Sequence, residues 1–154
     1  MPVQHGPCNQ LNGVTYQVDT KLTGDIAVQY AILEGLKRGW GVLIPVGDRL
    51  PYDLVYDVNG RLVRVQVKCA YSASGGFAAN VRRAKTNRAV YKHERYTRDD
   101  FDVALLWHPV DLVFYVMPID VFLTFKSTVR LPSAAKAINR HNRSDLYRDA
   151  WGNV

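Results

Sequence analysis

The sequence predicts a mixed α/β or α+β domain in which helices flank a central β-sheet. Three observations carry this prediction. An Asn59-Gly60 pair stands between two apolar-rich runs and favours a tight β-hairpin. Apolar residues recur at helical spacing over residues 22–37, and residues 102–107 (DVALLW), which are apolar after the initial aspartate, are typical of a buried strand. The chain has 154 residues, so we expect a single domain over 1–154.

The helix predicted over residues 22–37 ends at Gly39, and Thr23 or Asp25 is a candidate cap at its start. Positions at helical spacing predict its buried face, namely Ile26, Tyr30, Leu33 and Leu36 or Lys37. Further apolar positions widen this face, namely Ala27, Ala31 and Ile32. We therefore expect a helix that is buried on more than one side.

The two-residue loop fixes the register of the predicted hairpin, because paired positions sum to a constant. Val58 then pairs with Arg61, and Asp53 falls opposite Gln66. One face is the expected core face and carries Leu54, Tyr56, Val58, Val63, Val65 and Val67. The other carries Asp53, Val55, Asp57, Leu62, Arg64, Gln66 and Lys68.

Three polar residues of the second face, Asp53, Gln66 and Lys68, converge at the open end of the hairpin. Directly opposed Cβ atoms lie about 5 Å apart in such a pair. A carboxylate, an amide oxygen and an ammonium in one place can hold a hard metal ion and a phosphate. From the residues alone, the alternative is an exposed polar face with a surface ion pair.

The formal charge of +6 favours a polyanionic partner, nucleic acid before membrane. Residues 82–98 are strongly basic and follow the hairpin closely, which favours phosphate contacts over a merely solvated loop. The candidate nucleic-acid contacts are Arg82, Arg83, Lys85, Asn87, Arg88, Lys92, Arg95 and Arg98. Of these, the candidate readers of base edges are Arg82, Arg83, Asn87 and Arg88.

The sequence begins without the basic segment and apolar run of a signal peptide, and no apolar run reaches the length of a membrane span. Cys8 and Cys69 are far apart and form neither a metal-ligand spacing nor a disulfide framework. We therefore expect a cytoplasmic protein with reduced thiols and no membrane partner.

The two ends of the chain differ from its centre in composition. Residues 1–20 mix glycine, proline and polar residues, which predicts an N-terminal arm or, where Val14, Tyr16 and Val18 alternate, a short strand. Residues 132–154 predict a C-terminal helical segment, with short serine-capped helices over 133–139 and 144–151.

Several short motifs together resemble a known family. PYD occupies residues 51–53 and VQVK residues 65–68, while TGDIA at 23–27 and LKRGW at 36–40 precede them. Weaker similarity continues in DDFDVALLW (99–107) and FYVMPID (114–120). The chain resembles the PD-(D/E)XK nuclease superfamily, and within it the homing endonucleases encoded in bacterial group I introns, where glutamine replaces the usual acidic residue.

The resemblance implies a restriction-endonuclease-like core and a site-specific cleavage of double-stranded DNA with Mg²⁺, for which Mn²⁺ is a possible substitute. It implies that Asp53, the side-chain oxygen of Gln66 and the backbone carbonyl of Val67 bind the metal. Lys68 would orient the attacking water and stabilise the transition state. It also implies a homo-oligomer, a dimer or a homotetramer, with both chain ends as candidate subunit or DNA contacts.

One position departs from the family pattern. Related sequences usually carry an acidic residue four positions after the glycine of GDIA, where this chain has Val28. This predicts a weak or one-metal enzyme, a substituted contribution from Asp25 or Gln29, or a DNA-binding member that does not cleave. A Holliday-junction resolvase or a restriction-type nuclease on the same fold is the nearest rival enzyme.

The remaining acidic residues have structural interpretations. Asp57 is expected to pair with Arg64 or Arg61 at the surface, where such pairs contribute about 0–1 kcal/mol. Three carboxylates at positions 99, 100 and 102 resemble a second metal cluster, but turn and strand-entry roles are favoured over it.

Overall fold

The computed structural model describes residues 8–11, 14–17, 20–74, 76–87, 90–132 and 143–154. The first elements of the chain are β1 (Cys8–Leu11), β2 (Val14–Gln17), α1 (Thr20–Lys37), β3 (Gly41–Leu43), β4 (Leu54–Val58) and β5 (Arg61–Cys69). They are followed by β6 (Tyr71–Ala73), β7 (Gly76–Asn80), β8 (Arg82–Asn87), β9 (Val90–Arg95), β10 (Val103–His108), β11 (Val113–Pro118), α2 (Ile119–Phe122) and β12 (Thr128–Leu131).

A five-stranded mixed sheet lies at the centre of the fold, in the order β11-β10-β5-β4-β3. β10 runs parallel to β5, and the other neighbours in this sheet are antiparallel. Alternate residues of its strands enter two apolar clusters, one on each face. α1 covers one face, whereas α2, β7 and β12 contribute to the other cluster, so the predicted mixed fold with a helix-flanked sheet is confirmed.

The hairpin register is confirmed, with Val58 opposite Arg61 and Leu54 opposite Val65. Asn59 and Gly60 have φ values of 54° and 88°, as a turn with two left-handed residues requires. Of the predicted core face, only Val58 is not fully buried. Because one face of β4 and β5 is buried in this way, a slip of one residue would expose it.

α1 contacts the sheet most closely through small residues, so the sequence interpretation of its buried face was right in part and wrong for several large residues. Ala27, Ala31 and Gly35 are its buried positions. A Cβ at Gly35 would lie 2.5 Å from the Tyr56 ring, and the Tyr56 hydroxyl donates to the Ala31 carbonyl at 2.6 Å. Bulky side chains cannot occupy so close an approach. Tyr30 and Ile32 are partly buried and pack against the same apolar cluster, whereas several other large apolar residues of α1 face outward.

The outward residues of α1 form a row of large apolar side chains. They are Leu22 (57% exposed), Ile26 (39%), Leu33 (49%) and Leu36 (56%), and we call them the outer row. The predicted burial of Ile26, Leu33 and Leu36 was therefore wrong. The helix also begins at Thr20, so Thr23 and Asp25 lie inside it and do not cap its start.

The expected ion pair of Asp57 is replaced by a turn contact. Asp57 accepts the Gly60 N–H at 2.7 Å, which supports the hairpin turn. Arg64 instead pairs with Asp102 at 2.9 Å, and Arg61 donates to the Val154 carbonyl at 2.7 Å.

The end of the chain packs against its own sheet. Short 3-10 helices over Asp145–Tyr147 and Trp151–Asn153 replace the serine-capped helix that was predicted over 144–151. The Ser144 hydroxyl donates to the Arg130 carbonyl at 2.5 Å instead of capping. The helix predicted over 133–139 lies outside the described residues. Within the described part of the chain, no helix is long and apolar enough to cross a membrane.

The basic stretch forms a separate two-stranded antiparallel ribbon of β8 and β9, which we call the basic ribbon. Arg82 lies opposite Arg95 and Lys85 opposite Lys92, so basic residues face each other across the two strands. Sequence analysis predicted no strand there.

Candidate active site

The open end of the β4–β5 hairpin brings Asp53 and Gln66 into direct contact. The Gln66 side-chain nitrogen Nε2 donates to Asp53 Oδ2 at 2.6 Å. The backbone N–H of Val67 donates to the same carboxylate oxygen at 2.7 Å. Asp53 is itself anchored, because its backbone N–H donates to the Val65 carbonyl at 2.9 Å. The carboxylate is thus held by the strand that carries the rest of the motif.

The amide nitrogen of Gln66 bridges two oxygen atoms. Besides Asp53 Oδ2, it donates to the Val67 carbonyl oxygen at 3.0 Å, and the Gln66 residue is only 8% exposed. The Asp53 carboxylate oxygen and the Val67 carbonyl oxygen therefore converge on the partly positive amide nitrogen of Gln66. If the Gln66 amide were turned the other way, its own oxygen would face the Asp53 carboxylate oxygen, and no hydrogen bond would form between them.

These oxygens fit a hard divalent cation, which prefers carboxylate and carbonyl oxygen ligands. Asp53 and Val67 would hold such an ion at the point where the Gln66 nitrogen lies. The Gln66 amide would turn to present its own oxygen as a further ligand. Among the described residues, no group of three or more acidic, histidine or cysteine side chains gathers, so Asp53 is the charged anchor of this site.

Burial shapes the charge of Asp53. Removal of the carboxylate from water raises its pKa, although the Val67 hydrogen bond and the nearby Lys68 charge oppose this rise. The ionised carboxylate is therefore held at a cost in free energy, and a cation bound beside it would relieve that cost.

Lys68 lies half-buried on the same strand. Burial is the largest cause that lowers the pKa of its ammonium, Arg83 lowers it further, and Asp53 opposes both. Its Nζ atom lies 3.4 Å from the Arg82 carbonyl oxygen and 5.0 Å from the centre of the Tyr96 ring. The ammonium is also near enough to Asp53, the carboxylate that would hold the metal, for their charges to interact.

The acidic residues of α1 do not join this site in the described structure. Val28 is half-buried and packs against the apolar cluster that lies between α1 and the sheet. Asp25 and Gln29 are exposed, and at 100° per residue both lie on the helix face away from Ala27 and Ala31. Glu34 is paired with Lys37 at 2.7 Å and with Arg38 at 2.5 Å. The geometry does not support Asp25 or Gln29 as a replacement for the missing acid.

The acidic residues before β10 have structural roles. Asp100 accepts the backbone N–H of Thr97 at 2.7 Å, which closes a turn. Asp102 accepts the backbone N–H of Arg64 at 2.8 Å in addition to its ion pair with that side chain. The favoured turn and strand-entry roles match these contacts.

The candidate DNA contacts lie on or beside the basic ribbon. Arg82 and Arg95 are exposed, whereas Arg83 is half-buried and lies near the Arg49 carbonyl. Arg98 is exposed and forms an ion pair with Asp120. Backbone positions place Lys85, Asn87 and Lys92 in the ribbon, and Arg88 lies outside the described residues.

Sequence reasoning missed the role of Tyr96. Its ring lies under the Lys68 ammonium, and the charge of Asp53 contributes, after burial, to the raised pKa of its phenol. No local pattern signals this contact, because residues 68 and 96 meet only through the packing of the second apolar cluster.

Comparison with known proteins identifies the family of this chain. The family model for PD-(D/E)XK endonucleases matches residues 18–154. The chain belongs to the PD-(D/E)XK endonuclease family. Among solved structures, this endonuclease is similar to the bacterial homing endonuclease I-Ssp6803I, with 45% identity and a TM-score of 0.79 over 88% of this chain and 92% of that one. A search of curated proteins found no match.

Proposed function

We propose that this family member is a site-specific, homing-type endonuclease of a group I intron that hydrolyses phosphodiester bonds of double-stranded DNA. The observation that carries the proposal is the convergence of Asp53, the Val67 carbonyl and Gln66 beside Lys68. Its similarity to a bacterial homing endonuclease over most of both chains supports the same activity. Such a protein would act on cytoplasmic DNA.

The proposed cofactor is Mg²⁺, with Mn²⁺ as a substitute, since both accept oxygen ligands. A divalent ion supplies Lewis acidity and lowers the pKa of a bound water. Asp53 supplies the negative charge that holds it, and Gln66 supplies a neutral oxygen. Lys68 offers its ammonium to the negative charge that develops on the phosphate. Because the site has a single carboxylate, we expect weaker metal binding than at sites with two.

The basic ribbon is the proposed DNA-binding element. A two-stranded ribbon fits the major groove of B-form DNA. The exposed Arg82 and Arg95 lie opposite each other at its base, so phosphate contacts there would hold the backbone near the hairpin. Cleavage and binding are thus assigned to neighbouring but separate elements.

Double-strand cleavage requires two active sites, so we propose a symmetric homo-oligomer, a dimer or a tetramer. The outer row of α1 is the candidate contact surface. Its four members are separated by four, seven and three positions, and Gln29 lies at the midpoint between the first and the last. Two antiparallel copies of α1 would therefore match Leu22 with Leu36. A Leu33→Glu variant should then shift the mass measured by light scattering toward the monomer, whereas an unchanged mass would exclude this surface.

The test of the activity is digestion of a pool of random duplex DNA, followed by sequencing of the cut ends. Discrete long sites that are cut with Mg²⁺ or Mn²⁺, and not with EDTA, would establish the proposed enzyme. Preferential cutting of four-way junctions would indicate the resolvase instead, and short frequent sites would indicate the restriction-type nuclease.

A second candidate function rests on Val28, the apolar residue at the helix position where an acid is expected. The chain would then bind its DNA site without cutting it. Val28→Glu separates the two cases. If this variant cuts selected sites that the natural chain only binds, the natural chain is a cleavage-deficient member.

A further inference from the structure

Lys68 needs an external support, because its long side chain carries a point charge on a flexible stem. Two contacts provide it. The Nζ atom lies 3.4 Å from the Arg82 carbonyl oxygen, and it lies 5.0 Å from the centre of the Tyr96 ring. An ammonium within about 6 Å of an aromatic ring centre is attracted by the negative face of the ring.

The Tyr96 ring is a fixed platform. Tyr96 is only 6% exposed. Phe101 meets its ring edge-on at a centroid distance of 5.0 Å, and Phe122 does so at 6.0 Å. Phe101 and Phe122 also contact each other at 5.6 Å, so three rings brace one another. Edge-to-face packing of this kind favours one orientation of each ring.

Both supports of Lys68 come from the base of the basic ribbon. Arg82 opens β8 and lies opposite Arg95, the last residue of β9. Tyr96 follows Arg95 directly. The two chain segments that join the ribbon to the fold are therefore the same two that contact the catalytic ammonium.

We propose that Tyr96 is a positioning residue that holds the Lys68 ammonium beside Asp53 and ties it to the base of the basic ribbon. This inference rests on the proposed function for its effect on the rate, but the contact itself does not depend on it. The aromatic face is the essential part. Tyr96→Phe should therefore preserve the effect, and Tyr96→Leu should remove it.

The contact is tested first in the protein without DNA. In spectra of protein labelled at the lysine Cε, the ring current of Tyr96 should shift the Lys68 Hε signal upfield of those of the other lysines. Loss of that signal in Lys68→Arg assigns it. We expect the shift to persist in Tyr96→Phe and to vanish in Tyr96→Leu. An unshifted Lys68 signal in the natural protein would overturn the proposal, whether or not the protein is a nuclease.

The effect on catalysis is tested by single-turnover cleavage of a duplex recovered from the random pool, at saturating protein. Tyr96→Leu should slow cleavage about tenfold, the size of one good cation–π contact, while DNA affinity measured in Ca²⁺ stays unchanged. Tyr96→Phe should remain within about threefold of the natural chain. An equal loss in both variants, or none in Tyr96→Leu, would contradict the positioning role.

Phe114→Leu is the matched control, because it removes a buried ring from the other apolar cluster, where that ring packs against Trp151 and not against Tyr96. We expect it to lower the melting temperature as much as Tyr96→Leu does and to leave the cleavage rate near that of the natural chain. If Phe114→Leu slows cleavage equally, the effect comes from the lowered stability of the fold, and the proposal is wrong. If the natural chain does not cleave at all, the proposed function fails, and the lysine spectra still decide whether the contact exists.

Discussion

The β4–β5 hairpin and the basic ribbon are both antiparallel strand pairs, but they differ in their place in the fold. The hairpin lies inside the central sheet, and its core face is buried by α1. The ribbon is a sheet of its own. A side chain on the hairpin is therefore fixed by packing, as a metal ligand must be. The proposed metal site therefore lies on the buried pair, and the proposed DNA contacts lie on the pair beside it.

The largest effects should follow from removal of the charged groups of the hairpin. Asp53→Ala and Lys68→Ala should each slow cleavage of the selected duplex by about 100-fold or more. Binding of the same duplex in Ca²⁺ should persist in Lys68→Ala, because the ribbon is unchanged. Cleavage that survives both substitutions would move the active site away from the hairpin.

A smaller gain is expected from Gln66→Glu. The second carboxylate adds charge to the metal site and replaces the amide nitrogen that bridges Asp53 and Val67, so metal affinity should rise about tenfold. Titration calorimetry with Mn²⁺ in the absence of DNA measures this change. Gln29→Glu adds the same charge at an exposed position of α1 and should leave the affinity unaltered. An equal gain in Mn²⁺ affinity in both variants would show that added negative charge acts wherever it lies, and would contradict the special place of Gln66.

Substitutions in the basic ribbon should weaken DNA binding and leave the rate of the chemical step unchanged. Arg95→Gln should weaken binding across sequences and reduce the slope of log affinity against log salt by about 0.9 if Arg95 neutralises one phosphate. The matched substitution Lys126→Gln removes an exposed charge outside the ribbon. If the two variants show the same slope, the ribbon has no special part in DNA binding.

The smallest effect concerns the turn that fixes the hairpin register. Gly60 has a φ of 88°, so Gly60→Ala should lower the free energy of unfolding by about 1 kcal/mol. Gly24 lies inside α1 with open space where a Cβ would be, so Gly24→Ala should raise it by about 1 kcal/mol. Chemical denaturation checks both. A stabilised Gly60→Ala would mean that the turn does not need its left-handed backbone.

The pairing of Asp53 with Gln66 was predictable because the turn and the alternation of side chains are local rules. The buried face of α1 was predictable only in part, because Ala27 and Ala31 are buried as expected but several larger residues are not. The close approach of α1 to the sheet depends on the contact between Gly35 and the Tyr56 ring. Helical spacing alone favours burial of the larger Ile26 and Leu33. Tertiary contact overrides the apolar pattern there.

The ribbon and the support of Lys68 also escaped sequence analysis, for a different reason. Basic residues give strands no apolar alternation, so the strands of the ribbon carry no recognisable period. The Tyr96 ring that contacts Lys68 packs against Phe101 and Phe122, which lie elsewhere in the sequence. Contacts between distant parts of the chain leave no mark in local spacing.

The most direct test of the account is a crystal structure of the protein with Mn²⁺, in which anomalous scattering locates the ion. We expect one Mn²⁺ bound by Asp53 and the Val67 carbonyl oxygen, with the Gln66 amide turned so that its oxygen faces the ion. An Mn²⁺ ion bound elsewhere, with the Gln66 nitrogen still donating to Asp53, would contradict the assignment of the active site to this hairpin.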